Sequence, residues 1–291
     1  MKDNTILTIA SRIRPFSDAA IVYRMPWYDN TGFYHAWKIR EGEDQYLIKR
    51  TDSPVELAVY QAVSSRTDVL PRFYGSTSFR NKTYLLLEFV EGHDMMHAAR
   101  DDLQAVLHAM VRLQDSFWNE PESIGESFTD VLEKNLKRKS YLSEPMLLEA
   151  FDRFETQYRT VPRTLCHDDF LPFNLITGRG RTVFIDWEYA GILPYPVMLA
   201  RLLAHTSTNG ETPFFMTPED RDYAIAYYYD NLIARHGIAY ADYRKTLDCF
   251  LFFERLEWVY VYRKYNKKSD TLYRYELDAA THTAERILKN D

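Results

Sequence analysis

In the segment CHDDFLPFN two carboxylates, Asp168 and Asp169, follow His167, and Asn174 stands five residues after Asp169. Twelve residues beyond Asn174, Asp186 closes the apolar run TVFI. A carboxylate leaving a strand end, with an amide and a second carboxylate on the preceding loop, offers the oxygen ligands that a hard cation such as Mg²⁺ takes in a tight octahedron. Phosphoryl transfer uses the same parts: a carboxylate to accept a hydroxyl proton, and an Asn and an Asp to hold metal on the phosphates. A pattern as short as His-x-Asp-x-x-x-x-Asn also arises by chance, so its weight depends on what surrounds it.

The surrounding elements can be read from residue spacing. HAWKIRE (35–41) and QYLIKR (45–50) flank the polar GED as a hairpin does. SPVELAVYQAVSS (53–65) changes period to an amphipathic helix, with Ser53 as N-cap, Pro54 in the first turn, and Val55, Ala58, Val59, Ala62 and Val63 apolar. TYLLLEFVEG (83–92) reads as a buried strand closing an N-terminal sheet. From Met95 the spacing is helical over 95–118, 128–142 and 146–158, and again from about Met198 nearly to the end. The exception is 164–191, where NLI and TVFID flank TGRGR like a short hairpin. The pattern changes at Glu91–Gly92, which predicts a sheet-bearing unit at 1–91 and a helical one at 92–291.

At this point the chain resembles the aminoglycoside phosphotransferase and choline kinase superfamily, which shares the protein-kinase-like fold. HDDFLPFN matches its catalytic loop, and IDWE (185–188) its metal-binding motif. The resemblance implies an α+β, bilobal fold with a small β-sheet lobe and a larger helical lobe. It implies Asp169 as catalytic base, Asn174 and Asp186 as magnesium ligands, and His167 as a structural member of the loop. Lys49 takes the place of the lysine that pairs with the α- and β-phosphates, with Glu56 as its partner. Main-chain atoms near Glu88 and Val90 would face the adenine edge. YDNTGFYH (28–35) sits where the phosphate-covering turn belongs; it has one glycine, Gly32, and the N–H groups around Thr31 to Phe33 could meet a phosphate. The family usually carries Gly or Arg where this chain has Asp168, an extra acid beside the base that would perturb the pair or contact a cationic substrate.

The activity this resemblance implies is transfer of the γ-phosphoryl group of ATP, or of GTP, to a hydroxyl of a small acceptor. The family's acceptors include aminoglycosides, choline, other amino alcohols, sugars and homoserine. One rival is a protein of the same fold that binds nucleotide or a partner without turnover; the presence of Lys49, Asp169, Asn174 and Asp186 together speaks against it. Another is a protein-directed kinase. After IDWE the chain runs through YAGILPYPVMLARLL straight into a helix, leaving no room for a long peptide-binding loop.

Other features carry less. His93 and His97 in HDMMH have the four-residue spacing of zinc-protease ligands, but Asp94 stands where a Glu is usual and no third ligand is near, so helix-face histidines are the plainer reading. FFERLEWVYVYRKY (252–265) sets Glu254 and Glu257 among aromatic rings. That suits an ammonium-bearing acceptor or an ordinary amphipathic helix, and YAIAYYYDN (223–231) reads as packing. The 291 residues are 46% hydrophobic and 27% charged, proportions of a folded globular protein. The net charge of −6 disfavours nucleic acid and leans toward cationic acceptors. Cys166 and Cys249 are isolated, so neither a disulfide framework nor a cysteine zinc site is expected. No apolar run approaches the ~20 residues that span a bilayer, and the opening MKDNTILTIASRIRPFSD is regularly polar. The expectation is a cytoplasmic enzyme without a membrane anchor.

Overall fold

The computed structural model describes residues 3–27, 31–97, 99–121, 123–207, 212, 214–267 and 271–289, the side chains of Asp3 and His97 excepted. Strands β1 (Ile21–Pro26), β2 (Phe33–Glu41), β3 (Asp44–Thr51), β4 (Phe73–Phe79) and β5 (Lys82–Glu88) form one antiparallel sheet in the order β1-β2-β3-β5-β4. Successive side chains of a strand point to opposite faces, and in β5 both faces are covered. Tyr84 and Leu86 pack with Trp37, Ile39 and Ile48 beneath Ile6, Ile9 and Ala10 of helix α1 (Asp3–Ala10). Leu85 and Leu87 pack with helix α2 (Pro54–Val63) and join the core of the helical part. That two-sided burial explains why β5 reads as an uninterrupted apolar run. Helix α1 was not anticipated, because its polar residues mask a three-residue apolar contact.

Helix α2 forms where expected but turns differently. Its buried face is Glu56, Val59, Tyr60 and Val63, whereas Ala58 and Ala62 are exposed. Ser53 precedes the helix without capping it; its hydroxyl donates to the carbonyl of Glu188 (3.4 Å). A face centred on a glutamate instead of on the alanines already points to a buried charge partner.

The rest is mainly helical: α3 (Arg100–Ser116), α4 (Phe128–Leu136), α5 (Pro145–Thr160), then β6 (Arg163–His167), β7 (Leu175–Gly178), β8 (Arg181–Phe184) and β9 (Ala190–Pro194), then α6 (Val197–Ala204), the two-residue strands β10 (Thr206–Ser207) and β11 (Phe214–Phe215), α7 (Pro218–Tyr228), α8 (Tyr240–Lys264) and α9 (Thr271–Lys289). The expected hairpin is β7 with β8, and β6 pairs antiparallel with β9, setting Cys166 opposite Gly191. Helix α8 runs through the core; its Phe253 stacks on Phe154 of α5 with ring centres 4.1 Å apart. Cys166 and Cys249 are both free and buried. No helix among the described residues is long and apolar enough to cross a membrane.

The chain leaving β5 is pinned to the β7–β8 hairpin. His93 and Thr177 exchange backbone hydrogen bonds of 3.0 and 2.9 Å. Arg181 of β8 grips the Glu88 carboxylate at 2.8 and 3.0 Å and the carbonyls of Leu70 (2.6 Å) and Asp68 (3.0 Å). Gly92 and Gly178 allow this approach: a Cβ on Gly178 would lie 2.4 Å from the Glu91 carbonyl oxygen. Gly178→Ala is therefore expected to lower stability by about 1–3 kcal/mol in urea titration, whereas Gly180→Asn, at a turn position open to solvent with φ +75°, should cost under roughly 1 kcal/mol.

Candidate active site

The site begins with Lys49 on the central strand β3. Its ammonium donates to Glu56 Oε1 at 2.7 Å and to Asp186 Oδ1 at 2.6 Å. Burial alone would depress the lysine, but the two carboxylates more than offset it, so its pKa is raised and it stays charged. Glu56 is fully buried, and its second oxygen has no hydrogen-bond partner. Lys49 is thus the one cation that makes a buried Glu56 carboxylate tolerable.

Asp186 lies at the turn after β8 in a left-handed conformation, φ 67° and ψ 60°. Aspartate tolerates that region better than most residues, and two buried anchors fix the turn. Trp187 Nε1 donates to the carbonyl of Phe184 at 2.7 Å, and His167 Nε2 meets the carbonyl of Ile185 at 2.8 Å. A carbonyl only accepts, so Nε2 carries the proton. Burial holds the imidazole pKa below its ordinary value, which keeps His167 neutral. The expected structural role of His167 has a definite form: it ties the strand before the catalytic loop to the residue before Asp186.

Asn174 and Asp169 face each other across the loop. The Asn174 amide nitrogen donates to the Asp169 carbonyl (2.9 Å) and to its Oδ2 (3.1 Å). The Asn174 carbonyl accepts from the N–H of Ile185 at 3.0 Å, which sets Asn174 beside Asp186 along the backbone. The structure thus brings Lys49, Glu56 and Asp186 into one group and Asp169 and Asn174 into another, joined through this backbone bond.

The other Asp169 oxygen accepts from Arg201 of α6 at 3.2 Å. Arg201 also donates to Glu254 (2.9 Å) and to Glu257 of α8. Burial by itself would raise both glutamates, but Arg201 pulls Glu254 below the usual range, and Arg201 with Arg138 brings Glu257 down to about 2. Arg201 was missed in the sequence. The signal was available as a single cation inside the apolar run VMLARLLA. Glu254 and Glu257 therefore belong to the site and not to a solvated helix face, whereas Ile225 and Tyr228 of the 223–231 stretch are core.

His205, Glu254 and Glu257 lie close enough to resemble a metal triad. Trp258 Nε1, which can only donate, points at His205 Nδ1 (3.2 Å), so the neutral ring carries its proton on Nε2, facing Glu254 at 3.4 Å. That tautomer cannot ligate through Nε2, and both glutamates already accept from Arg201.

At the proposed adenine edge, the Glu88 N–H donates to the Arg72 carbonyl (2.8 Å) and the Phe89 N–H to that of Gln45 (3.4 Å). The Glu88 N–H is thus engaged within the sheet. Val90 makes no main-chain hydrogen bond among the described residues. Thr31 and Gly32 lie in the bend between β1 and β2. A Cβ on Gly32 would sit 2.5 Å from the Trp27 ring, so this turn needs its glycine for close approach. Tyr28 to Asn30 of the proposed phosphate-covering turn lie outside the described residues. His93 pairs with Asp102 at 3.0 Å, while the His97 side chain lies outside the described residues.

With this geometry in place, the relatives can be compared. Residues 25–242, well over half of the chain, match the phosphotransferase enzyme family. The chain belongs to that family. Its fold is that of a choline kinase from Cryptosporidium parvum (13% identity, TM-score 0.63, covering 99% of this chain and 97% of the other). It is also that of a thermostable mutant of aminoglycoside phosphotransferase APH(4)-Ia in ternary complex with ADP and hygromycin B (15% identity, TM-score 0.61, covering 99% and 98%). Protein LicA homolog of Mycoplasma capricolum is 25% identical over 138 residues, 44% of this chain and 53% of that protein, so the match spans about half the length of this curated relative.

Asp168 is coupled electrostatically to the group around Arg201, through Glu254, Arg201, Arg138 and Glu257. Burial, with Glu254 next in effect, pushes its carboxyl up to about 7 against the pull of Arg201 and Arg138. A raised folded-state pKa means that the folded protein binds this proton more tightly than the unfolded chain. The stabilisation is complete below about pH 4 and is lost as pH rises through about 7. Asp168→Asn should accordingly gain on the wild type, by on the order of 2 kcal/mol, when chemical denaturation is moved from about pH 5 to about pH 8.

Proposed function

We propose that the protein transfers the γ-phosphoryl group of ATP, or of GTP, to a hydroxyl of a small amine-bearing acceptor such as an aminoglycoside or an amino alcohol. The observation that carries this reading is the setting of Asp169. One of its oxygens is held by Asn174 and the other by Arg201, and its side chain keeps 23% exposure, so it is oriented yet reachable. Such a carboxylate can orient an acceptor hydroxyl and take its proton as the oxygen attacks phosphorus.

Lys49 positions the phosphates, and Glu56 positions Lys49. The bend at Thr31–Gly32 and the main chain at Val90 supply the phosphate and adenine contacts. The residues fit a magnesium ion: Asn174 directs its nitrogen to Asp169, which leaves its amide oxygen without a hydrogen bond among the described residues, and Asp186 offers a carboxylate beside it. When bound there, magnesium offsets charge on the β- and γ-oxygens.

The amine preference rests on charge. Asp168, Asp169, Glu254 and Glu257 surround Arg201, and Arg138 is a second guanidinium acting on the same group. Even with Asp168 held up to about 7 and so only partly charged, the carboxyls outnumber the two guanidiniums, which favours a cationic guest. The ADP and hygromycin B bound by one structural neighbour, and the choline kinase identity of another, support a nucleotide donor and an acceptor of this chemistry.

The test is transfer of labelled γ-phosphate from ATP and from GTP to a panel of hydroxylated amines. Asp169→Asn should lower turnover ~10²–10⁴-fold, the range for a lost general base, with nucleotide affinity nearly unchanged. Wild-type turnover in that variant would remove Asp169 from the mechanism, and no transfer by the wild type from either nucleotide would overturn the proposed reaction.

A further inference from the structure

A cavity of about 260 Å³ opens between β10, the start of α7, α8 and α9, and it shares no lining residue with the catalytic group. At ~30 Å³ per water it holds roughly eight waters. Its polar lining is Thr206, Ser207, Thr217, Arg221, Arg255 and Tyr275, and no acidic side chain among the described residues lines it. In a protein of net charge −6, two arginines facing a cavity without a carboxylate need a physical account.

Their hydrogen bonds show how much donor capacity remains. Arg255, 8% exposed, donates once, to the buried Glu276 at 2.9 Å, and its guanidinium lies 5.4 Å from the Tyr275 ring centre. Among the described residues Arg221 donates once, to the Leu203 carbonyl at 2.6 Å, and has no carboxylate partner. Burial, with Arg255 next and Arg286 and Arg244 contributing, brings the Arg221 pKa down to about 10, although Tyr275 acts the other way. The nearby acid Asp220 is turned to Arg100 and Thr217. Ser207 Oγ accepts from the Thr212 hydroxyl (2.9 Å) and N–H (3.3 Å), and neither the Ser207 nor the Tyr275 hydroxyl donates a hydrogen bond among the described residues. A half-buried guanidinium without a counter-charge is costly, and two guanidiniums with two hydroxyl donors around one space are complementary to a tetrahedral oxyanion.

We infer that this cavity is a binding site for a small phosphate or phosphomonoester, separate from the catalytic cleft, with Arg221 as its principal ligand and Arg255, Ser207 and Tyr275 completing the donor set. Arg255 follows Glu254 on α8, and Thr206 follows His205, so the cavity is adjacent along the chain to the acidic group around Arg201.

Calorimetric titration with sodium phosphate at constant ionic strength tests this on the full chain. Wild type and Asp186→Ala should each show one saturable phosphate site. Arg221→Gln should weaken it roughly 10- to 100-fold, as expected for a lost charge-assisted contact, and Arg221→Lys by less. Equal affinity in wild type and Arg221→Gln, or no saturable binding by wild type, would overturn the site; loss in Asp186→Ala alone would place the phosphate in the nucleotide cleft instead. Acetate binding as tightly as phosphate would overturn the phosphate assignment in favour of a carboxylate. Should Arg221→Gln not fold, Tyr275→Phe and Ser207→Ala carry the same test, each weakening phosphate several-fold if the site is real and neither doing so if it is not.

Discussion

The Lys49 ammonium holds two carboxylates from different parts of the chain, Glu56 of α2 and Asp186 after β8. Much of the molecule is arranged around it. The alternation of β3 aims Lys49 at the cleft, the face on which α2 packs delivers Glu56 to it, and the left-handed turn locked by Trp187 and His167 delivers Asp186. Removing the lysine would leave Glu56 buried without a counter-charge, the costly half of a broken buried pair, about 3–5 kcal/mol. The pair also explains why α2 presents a glutamate inward where its alanines would have been the easier choice.

A second ionic centre, around Arg201, complements the first. Lys49 organises the side where phosphates would lie, and Arg201 organises Asp169, Glu254 and Glu257 on the side where an acceptor would lie. The catalytic loop runs between them, its Asn174 tied by backbone to the residue before Asp186 and by side chain to Asp169. The fold serves as a frame that sets the Lys49 group and the acidic Arg201 group on either side of Asp169.

Much of this was legible in the residues. HDDFLPFN, IDWE, Lys49 and Glu56 carried the reading because their chemistry depends on short-range spacing and on the order of strand and helix. What escaped depends on long-range packing. Arg201 became part of the site only when α6 met α8, and Glu254 and Glu257 read as an ordinary helix face until their partner was in place. The α2 face was misjudged because apolar periodicity counts alanines and cannot see the ion pair that buries Glu56 against Lys49 of β3. The engagement of the Glu88 N–H by the Arg72 carbonyl is likewise a detail of register that sequence spacing does not reveal.

The central claim is that Lys49 and Asp186 form a site for a metal-bound nucleotide. Thermal unfolding of the wild type and of Asp186→Ala, with and without Mg-ATP or Mg-GTP, addresses it without any knowledge of the acceptor, because a ligand that binds only the folded state stabilises by about 2.7 kcal/mol at a hundred times its Kd. The account predicts a magnesium-dependent rise in Tm for the wild type that disappears in the variant. An equal rise in both proteins, or none in the wild type with either nucleotide, would contradict it.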